Sequence, residues 1–293
     1  MPRYVEPLFR PPSEARSLIF QITVGCSQNQ CRFCGMYKGK NFHIRPLQEI
    51  LDEIADIPEQ YRFRVNRVFL ADGDALVYPF EALCTILDAL VATFPGLTRV
   101  STYASPNSLT TKSSEQLARL RVKRLKILYF GLESGDDMTL HAINKGFESN
   151  RMAELAEMAR DAGMKLSVTA IIGLAGVGRS LEHARATAAW VNRVNPEYFS
   201  LLTMFHRHND DFISTLQQCT RRELMLETRE MLCHLHPAKT ILRSNHVSNF
   251  LNLAGSYPKD RERLIADVDI AVMHVGLRSG FLDEIPVYQE EYY

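Results

Sequence analysis

Three of the chain's six cysteines lie within nine positions, in the stretch "GCSQNQCRFCGMYKGK". Cys26, Cys31 and Cys34 have the spacing C-x4-C-x2-C. Thiolates spaced in this way can bind one soft metal centre from a single loop, which indicates either zinc or an iron–sulfur cluster. Zinc requires a fourth ligand, for which His43 is the candidate, whereas a cluster on three cysteines leaves one iron open to a small molecule. The cysteines alone leave both chemistries open.

Further groups that could do chemistry follow two of the predicted strands. Asp72, Gly73 and Asp74 follow one strand in "FLADGDAL", where the glycine lets a ligand approach the backbone and the carboxylates flank it. Glu133 and Ser134 follow another strand in "YFGLESGDD". Each group could be an ordinary turn. Their shared place at strand ends is informative, however, because the carboxyl ends of barrel strands form the catalytic rim.

A lysine and a glycine-rich turn extend this set. Lys145 is predicted at the end of the helix after the "GLESG" stretch, where a plain helix-end charge is the alternative role. Ile171 and Gly173 lie in "AIIGLAGVG" at the end of a further strand, and the glycine spacing there matches neither G-x-G-x-x-G nor a Walker loop. Tyr103 and Ser105 follow the third strand, and we expect them either at the same rim or in ordinary barrel packing.

The elements that must position these residues alternate regularly along the first two thirds of the chain. Strands are predicted over residues 17–24, 67–71, 99–104, 125–132, 165–173 and 198–203. Helices are predicted over residues 46–56, 80–93, 113–121, 136–145, 149–162 and 180–192. Strand and helix alternating six times predicts an α/β fold with a parallel sheet covered by helices, either open or curved into a barrel.

The alternation ends near Phe205. The remaining chain predicts helices over 221–236 and 259–275, an apolar segment at 240–242 and a polar tail, "VYQEEYY". We therefore predict a barrel domain over residues 1–205 and a mostly helical extension over residues 206–293. Polar groups in "MFHRHND" and "LRSNHVSNF" are candidates for substrate contacts, with solvated loops as the alternative.

Composition limits the class of partner. The 293 residues are 46% hydrophobic and 23% charged, which suits a large globular domain with a modest appendage. Lys plus Arg and Asp plus Glu both number 34, so no long-range field for nucleic acid or anionic lipid is indicated. The sequence shows no leader pattern, no apolar run of membrane length and no cysteine pattern of a secreted disulfide framework. We expect a soluble, cytoplasmic protein without a membrane partner.

Together, these motifs resemble those of the radical S-adenosylmethionine (SAM) enzymes. The family's cysteine loop is usually C-x3-C-x2-C with an aromatic residue before the last cysteine, a place that Phe33 takes here. One additional residue separates the first two cysteines of this chain. The resemblance implies a [4Fe–4S] cluster on Cys26, Cys31 and Cys34, with the amino and carboxylate groups of SAM on the fourth iron. It covers residues 18–204 and implies a partial (β/α)6 barrel similar to a TIM barrel.

The same resemblance implies contacts to the amine and ribose of SAM. The stretch formed by Asp72, Gly73 and Asp74 is loosely similar to the family's Gly-Gly-Glu-type segment, which binds the methionyl amine. The stretch "GLESG" resembles the strand end that binds the ribose in this family. The resemblance therefore assigns Glu133 and Ser134 to the ribose.

Two further SAM contacts are implied. "IIGLAG" resembles the adenine-contacting "IxGxPG" pattern, which assigns Ile171 and Gly173, and also Gly176, to the adenine. Ala175 replaces the usual proline, and the glutamate that some members carry in this segment is absent. Lys145 is assigned to the SAM carboxylate.

The activity implied by the resemblance is radical chemistry. In the family, the reduced cluster passes one electron to SAM, the bond between the sulfonium and the ribose carbon breaks, and a 5′-deoxyadenosyl radical takes a hydrogen atom from the substrate. The motifs are most similar to the branch that contains oxygen-independent coproporphyrinogen oxidases and elongator-type enzymes. We expect a small-molecule substrate and an external one-electron donor such as flavodoxin or ferredoxin.

Two alternatives stay open on sequence alone. The first is an RNA-modifying member of the same superfamily, for which Arg221 and Arg222 are the basic candidates. The second is a zinc-stabilised binding protein without catalysis, which explains the cysteines but not the strand-end motifs. The residues that act on the substrate, and the net reaction, are not assigned by the sequence.

Overall fold

The structure is a computed structural model that describes residues 2–275 and 280–286. Its strands are β1 Leu18–Gln21, β2 Thr23–Val24, β3 His43–Ile44, β4 Arg67–Ala71, β5 Arg99–Ala104, β6 Leu125–Glu133, β7 Lys165–Ile172, β8 Tyr198–Thr203, β9 Thr240–Ser244 and β10 Leu253–Tyr257. Its helices are α1 Leu47–Ala55, α2 Glu59–Arg62, α3 Phe80–Thr93, α4 Pro106–Thr110, α5 Ser114–Val122, α6 Asp137–Ala142, α7 Ser149–Asp161, α8 Gly176–Val194, α9 Asp210–Ile213, α10 Arg221–His234 and α11 Arg261–Val275. Short 3-10 helices lie at Pro12–Glu14, Ala75–Val77 and Phe281–Asp283.

The main sheet confirms the predicted α/β fold class. Its strand order is β1-β4-β5-β6-β7-β8-β9-β10, and β2 pairs with β3 in a separate two-stranded sheet. The pairs β1–β4, β4–β5, β5–β6, β7–β8 and β8–β9 are parallel, whereas β10 is antiparallel to β9. All six predicted strands contribute to this sheet, the first of them through residues 18–21 only. The extension adds β9 and β10 to it, beside the helices α9, α10 and α11.

The chain divides into two compact units that are not continuous in sequence. The first contains residues 1–29, 36–130 and 155–166, and the second contains residues 30–35, 131–154 and 167–293. Strand β6 runs through both, because its residues 125–130 belong to the first unit and 131–133 to the second. The domain boundary predicted after residue 205 stays a prediction.

Apolar side chains bury both faces of the strands in the first unit. On one face, the rings of Phe20 and Phe94 lie 6.3 Å apart, centroid to centroid. Ile19, the neighbour of Phe20, points to the other face, where it forms a buried cluster with Phe69 that also packs against Leu8. Strands buried on both faces have nearly continuous apolar sequences rather than alternating ones, as in the "VFLA" of β4.

The first predicted strand, over 17–24, is interrupted in the structure. The backbone amide of Ile22 still donates to the carbonyl of Ala71 at 2.6 Å, but β1 ends at Gln21. The chain then turns away, and Val24 pairs with His43 in the antiparallel β2–β3 ladder. The partner strand lies about twenty residues further along, so the local apolar pattern could not show where the sheet ends.

Two helices differ from their predicted bounds in ways that matter for the site. Helix α6 ends at Ala142, so Lys145 lies beyond the helix, where its backbone amide donates to the carbonyl of Leu140 at 2.9 Å. Helix α8 begins at Gly176, four residues before the predicted start. Non-helical backbone angles at Arg179 (φ −133°, ψ 15°) mark a kink next to the start that was predicted at residue 180.

In the second unit, helix α10 packs against both α8 and α11. It begins with a capping box in which Thr220 and Glu223 satisfy each other's backbone amides. No helix within residues 2–275 and 280–286 combines the length and the hydrophobicity needed to cross a lipid bilayer. The predicted tail "VYQEEYY" lies outside the described residues.

Candidate cofactor site

The three clustered cysteines lie in the loop between β2 and β3, and each is partly buried. Cys26 belongs to the first unit, whereas Cys31 and Cys34 belong to the second. Among the described residues, no three His, Cys, Asp or Glu side chains are grouped closely enough to hold a single metal ion. His43, the predicted fourth zinc ligand, is exposed on β3, and its Nδ1 lies 3.1 Å from the carbonyl oxygen of Asn41.

The second half of the cysteine loop is fixed on the residues that follow α6. The backbone amide of Arg32 donates to the carbonyl of Ile143 at 2.8 Å, and its guanidinium donates to the carbonyl of Ala142 at 3.2 Å. The side-chain amide of Asn144 donates back to the carbonyl of Gln30 at 3.3 Å. These bonds hold the backbone on both sides of Cys31 without using its thiol.

A second set of contacts holds the loop around Phe33. The side-chain amide of Asn209 donates to the carbonyl of Phe33 at 2.8 Å, and its oxygen accepts from the amide of Arg207 at 2.9 Å. Gly35 packs directly on this segment, because a Cβ atom there would lie 1.6 Å from the carbonyl oxygen of Arg207. Sequence reasoning did not assign Asn209, although it lies within the "MFHRHND" segment that was singled out.

The structure brings Cys31 together with two other predicted site residues, Glu133 and Lys145. The Lys145 ammonium lies 3.0 Å from Oε1 of Glu133, and the two side chains are only 5% and 12% exposed. Burial raises the pKa of the Cys31 thiol, while the charge of Lys145 lowers it and the charge of Glu133 raises it. Gly131 is required beside the pair, because a Cβ atom there would lie 2.2 Å from the Glu133 carboxylate.

Ser134 is buried and belongs to a polar network rather than to a solvated turn. Its hydroxyl accepts from the backbone amide of Asp136 at 3.0 Å and lies 2.7 Å from Nδ1 of His183. Asp136 in turn accepts from the Arg179 guanidinium at 2.8 Å and from the amide of Thr139, which it caps. Burial raises the pKa of Asp136, but these hydrogen bonds outweigh burial and leave the pKa below its ordinary value.

The glycine-rich turn after β7 adopts a left-handed backbone, with a φ of +82° at Gly173. Its amide donates to the carboxylate of Glu227 at 2.9 Å, and a Cβ atom there would lie 2.7 Å from the side chain of Leu224. Ile171, two residues earlier, is 8% exposed. Helix α10 therefore supports the turn directly, and it does so with a carboxylate that sequence reasoning did not assign to the site.

A sequence signal for Glu227 exists. Glu227 lies three residues after Leu224 and four before Met231, which places all three on one face of α10. Leu224 and Met231 are buried, so that face points inward. An acidic residue within an apolar helical stripe is the pattern that indicates a buried carboxylate.

Glu227 and His183 are both fully buried and titrate in opposite directions. Burial raises the pKa of Glu227 from an ordinary 4.5 to about 7 and lowers the pKa of His183 from 6.5 to about 4. Between pH 4.5 and 7, the folded protein keeps the Glu227 proton that the unfolded chain releases. The stability from Glu227 is therefore complete below pH 4.5 and is lost as the pH rises through 7. The contribution of His183 runs the other way and is lost as the pH falls from 6.5 through 4.

We expect this difference to appear in the variant Glu227→Gln. The free energy of unfolding of the variant, relative to the wild type, should increase by about 1.4 kcal/mol per pH unit between pH 4.5 and 7. His183 is present in both proteins, so its own contribution largely cancels from the comparison. Urea unfolding of both proteins over this pH range measures the difference. A difference that does not change with pH would mean that Glu227 titrates at its ordinary pKa in the folded state.

In the first unit, the end of β4 carries a buried carboxylate, Asp72. Its Oδ2 accepts from the Lys40 ammonium at 2.8 Å, from the Gln21 amide at 3.1 Å and from the Gly25 backbone amide at 3.1 Å. Its Oδ1 is also buried and has no hydrogen-bond partner among the described residues. A buried carboxylate oxygen left open in this way is suited to accept from an ammonium donor.

The next two residues have different roles. A Cβ atom at Gly73 would lie 2.5 Å from the ring of Tyr37, so only glycine fits against that ring. Asp74 is fully buried and accepts from the amide and hydroxyl of Ser105 at 2.9 and 2.7 Å, and from the hydroxyl of Ser27. Burial raises the pKa of Asp74, and these hydrogen bonds oppose the rise. Asp74 thus stabilises the end of β4 through its hydrogen bonds. Asp72 is the carboxylate that has one buried oxygen without a hydrogen-bond donor in the described part of the chain.

Several other residues singled out in the sequence contact protein groups. The Tyr103 ring lies 5.1 Å from the ring of Phe69 and 6.1 Å from that of Tyr129. The Asn249 amide donates to the carbonyl of Leu201 at 2.8 Å. The ring contacts favour ordinary packing, the alternative stated for Tyr103, and the bond from Asn249 shows that this residue of "LRSNHVSNF" supports β8.

The basic pair Arg221 and Arg222 binds a neighbouring segment of the second unit. Arg221 donates to the Phe281 carbonyl at 3.0 Å and to the Glu284 carboxylate at 2.8 Å, and its guanidinium lies 4.2 Å from the centre of the Phe281 ring. Arg222 donates to Asp283 at 2.9 Å. The pair therefore holds the 281–284 segment, which explains its presence without an RNA ligand.

Two local observations support a fit between the residues present and a cluster with SAM. The buried Oδ1 of Asp72 has no hydrogen-bond donor among the described residues, which suits an ammonium group. Burial raises the pKa of the Cys31 thiol, and the Lys145 ammonium lowers it, which offsets part of the cost of forming the thiolate that a metal ligand must be. Both observations are independent of any comparison with other proteins.

Comparison with known proteins agrees with this chemistry. The family model described as the Radical SAM superfamily matches residues 20–191, more than half of the chain. A protein of Methanocaldococcus jannaschii, named as a candidate methylthiotransferase, is 24% identical over 157 residues, which cover 50% of this chain and 33% of that protein. The matched region therefore spans about a third of this relative's length.

Two solved structures show the same fold. Coproporphyrinogen III oxidase (HemN) from Escherichia coli, described as a radical SAM enzyme, aligns with a TM-score of 0.55 at 17% identity, over 76% of this chain and 53% of that one. Methylornithine synthase (PylB) aligns with a TM-score of 0.52 at 14% identity, over 94% of this chain and 84% of that one. At these identities the likeness concerns the fold alone. With the family model covering most of the sheet, the chain belongs to the radical SAM superfamily, and it is an enzyme whose cofactors are a [4Fe–4S] cluster and SAM.

Proposed function

We propose that this radical SAM enzyme holds its cluster on Cys26, Cys31 and Cys34 and acts on a small-molecule substrate. The observation that carries the ligand assignment is the position of Cys31 within the field of the buried Glu133–Lys145 pair. A cysteine from the loop, a carboxylate from the end of β6 and an ammonium from the segment after α6 thus lie in one unit of the chain. Strand ends are where barrel enzymes place their reacting groups.

The cofactors supply a one-electron reductive cleavage of SAM that generates a 5′-deoxyadenosyl radical for hydrogen abstraction. The protein's own groups bind and orient. Lys145 lowers the pKa of the Cys31 thiol against the larger effect of burial, and it provides an ammonium for the SAM carboxylate. Asp72 offers its open Oδ1 to the methionyl ammonium.

The nucleoside half of SAM is assigned to the second unit. Glu133 is an acceptor for the ribose hydroxyls, and Ser134 supports the same strand end from within the buried network. Ile171 and Gly173 provide the apolar and backbone surface for the adenine, and the left-handed φ of Gly173 gives that turn its shape. Phe33 contributes its carbonyl to the bond with Asn209, which fixes the loop.

A small molecule is the substrate class that the chain supports better than RNA. The formal charge is zero, and the arginine pair that suggested an RNA contact binds the 281–284 segment instead. We assign the reducing electron to an external donor of the flavodoxin or ferredoxin type and the protein to the cytoplasm. The zinc alternative is set aside because the family's cofactors are a cluster and SAM.

The first experiment tests the cofactors. The purified protein is reconstituted anaerobically with iron and sulfide, iron and zinc are counted, and SAM and dithionite are added without substrate. We expect about four irons per chain and the release of 5′-deoxyadenosine and methionine. One zinc per chain, no iron and intact SAM would overturn the proposal.

The second experiment tests the substrate class. Reductive cleavage is run in an extract from cells grown in deuterated medium, divided by ultrafiltration into a small-molecule fraction and a fraction of RNA and protein. Hydrogen abstraction transfers deuterium into 5′-deoxyadenosine, which mass spectrometry detects. We expect label from the small-molecule fraction. Label from only the macromolecular fraction, lost on ribonuclease treatment, would establish RNA as the substrate instead.

A further inference from the structure

A fully buried carboxylate connects the C-terminal extension to the turn after β7. Oε1 of Glu227 accepts from the backbone amide of Gly173 at 2.9 Å, and Oε2 accepts from the hydroxyl of Ser180 at 2.7 Å. Neither bond is formed within α10 itself, so Glu227 bridges α10 to the turn and to α8. Both carboxylate oxygens are engaged, which is what a buried carboxylate needs in order to be retained.

His183 extends this bridge to a second strand end. Its Nε2 lies 3.5 Å from Oε1 of Glu227 and makes no hydrogen bond among the described residues, while its Nδ1 lies 2.7 Å from the hydroxyl of Ser134. The tautomer with its proton on Nε2 directs that proton toward the carboxylate and leaves Nδ1 to accept from Ser134. The network thus runs from Gly173 through Glu227 and His183 to Ser134.

Burying this polar network costs more free energy than burying apolar side chains in its place, so packing alone does not explain it. Glu227, His183 and Ser134 are each 0% exposed, and apolar side chains of similar volume could fill the space without desolvating a charge. The two ends of the network are the two turns assigned to the adenine and the ribose of SAM. The network contacts both turns, and its carboxylate comes from α10, outside the barrel strands. It is therefore placed to set the position of one turn relative to the other.

We propose that Glu227 is a positioning residue for the nucleoside half of SAM, holding the Gly173 turn directly and the Ser134 strand end through His183. This inference rests on the proposed function, because it takes those turns as the SAM site. It assigns a function to α10 that the family motifs do not contain. The segment "IIGLAG" lacks a glutamate of its own, and α10 places a carboxylate against that turn from a distant part of the sequence.

The charge on Glu227 changes close to neutral pH, which gives the proposal a signature. The titratable groups that face the network are His183 on α8, the Cys219 thiol before α10 and Asp136 before α6. Burial raises the pKa of Glu227 to about 7 and that of Cys219 to about 12, and it keeps His183 neutral. Glu227 is therefore the group in this network that ionises near pH 7. An ionised carboxylate accepts a hydrogen bond more strongly than a neutral one, so the Gly173 turn is held more firmly above pH 7.

The test compares Glu227→Gln, Glu227→Ala and the control Glu230→Gln in the reconstituted holoenzyme. Glu230 lies on the same helix and pairs with Arg185 at the surface. SAM binding is measured by equilibrium dialysis from pH 6 to 8, together with iron content and hydrogen exchange of the Gly173 amide without SAM. We expect Glu227→Ala to weaken SAM binding about tenfold and to speed exchange at Gly173, with iron content and the control unchanged.

Glu227→Gln separates positioning from simple stability, because it keeps an acceptor oxygen for Gly173 but cannot ionise. We expect its SAM affinity to match the wild type near pH 6 and to fall about fivefold behind it near pH 8. This comparison stands even where Glu227→Ala does not fold. A ratio of affinities that is constant with pH, or a wild type that binds SAM no better than Glu227→Ala, would overturn the inference while leaving the proposed function intact. A wild type that binds iron but no SAM at any pH would overturn the proposed function, and this inference with it.

Discussion

Replacing Cys31 with alanine is expected to reduce the iron content of the reconstituted protein from about four atoms per chain to nearly zero, and to abolish 5′-deoxyadenosine formation. The proposed cluster has three protein ligands, so the loss of one leaves two, and metal ligands on the same loop act together. The fold should survive. Cys31 lies in a loop outside every helix and strand, and the backbone bonds of Arg32 and Asn144 that hold this loop do not involve the thiol.

The matched control is Cys233→Ala. Cys233 lies on α10 in the second unit, the same unit as Cys31, and is also partly buried. Its sulfur lies 3.7 Å from the Arg229 guanidinium, so its loss removes one weak contact. Iron analysis, the visible absorbance of the cluster and circular dichroism are compared for the two variants. Full iron content and SAM cleavage in Cys31→Ala would show that the cluster has other ligands, whereas equal losses in both variants would point to a general effect of removing a thiol.

The strands of the first six alternations were largely predictable because their signal is local. Residues 67–71, 99–104 and 198–203 were predicted and observed with the same bounds. Each run is rich in β-branched and aromatic residues and is followed by a turn, and each is buried on the faces that the neighbouring elements cover. The edge strand β10, "LAGSY", was not predicted, because a short strand with a central glycine carries no comparable pattern.

The candidate site was predictable only in its motif residues. Cys31 was singled out from cysteine spacing, Glu133 from its place at a strand end and Lys145 from its place at a predicted helix end, and the structure brings these three together in one unit. The local signal for Glu227, its place on one face of α10 with Leu224 and Met231, is weak, because Glu230 lies beside Leu226 and Cys233 on the same helix. Their difference is tertiary, since Glu227 is fully buried, whereas Glu230 forms an ion pair with a largely exposed arginine.

The roles of neighbouring carboxylates were not separable from the sequence either. Asp72 and Asp74 flank the same glycine and look equivalent in "FLADGDAL". In the structure both oxygens of Asp74 accept hydrogen bonds from Ser105 or Ser27. Asp72, in contrast, has one buried oxygen without a hydrogen-bond donor among the described residues. The serines lie about thirty and fifty residues away along the chain, so the distinction depends on contacts that no local pattern contains.

The largest effect on stability is expected from breaking the buried Glu133–Lys145 pair. Replacing Lys145 with methionine should lower the free energy of unfolding by about 3–5 kcal/mol, because it leaves the Glu133 carboxylate buried without its ammonium at 3.0 Å. Methionine keeps the length of the side chain, so the cost comes from the charge more than from a cavity. The same variant should weaken SAM binding, because the ammonium assigned to the SAM carboxylate is removed.

A double-mutant cycle in urea unfolding isolates the pair. Glu133→Met and Lys145→Met together should cost less than the sum of the single changes by about 1–3 kcal/mol, because the double variant buries no unpaired charge. The surface control is Lys123→Met, which breaks the 2.6 Å contact between Lys123 and Asp88. Those side chains are 28% and 60% exposed, so the expected cost is only about 0.2–1 kcal/mol. A cost for Lys145→Met no greater than that of the control would mean that water reaches the pair. Glu133 would then be free to turn toward a ligand without losing a buried partner, and the strand end would be a flexible receptor for SAM, not a preformed one.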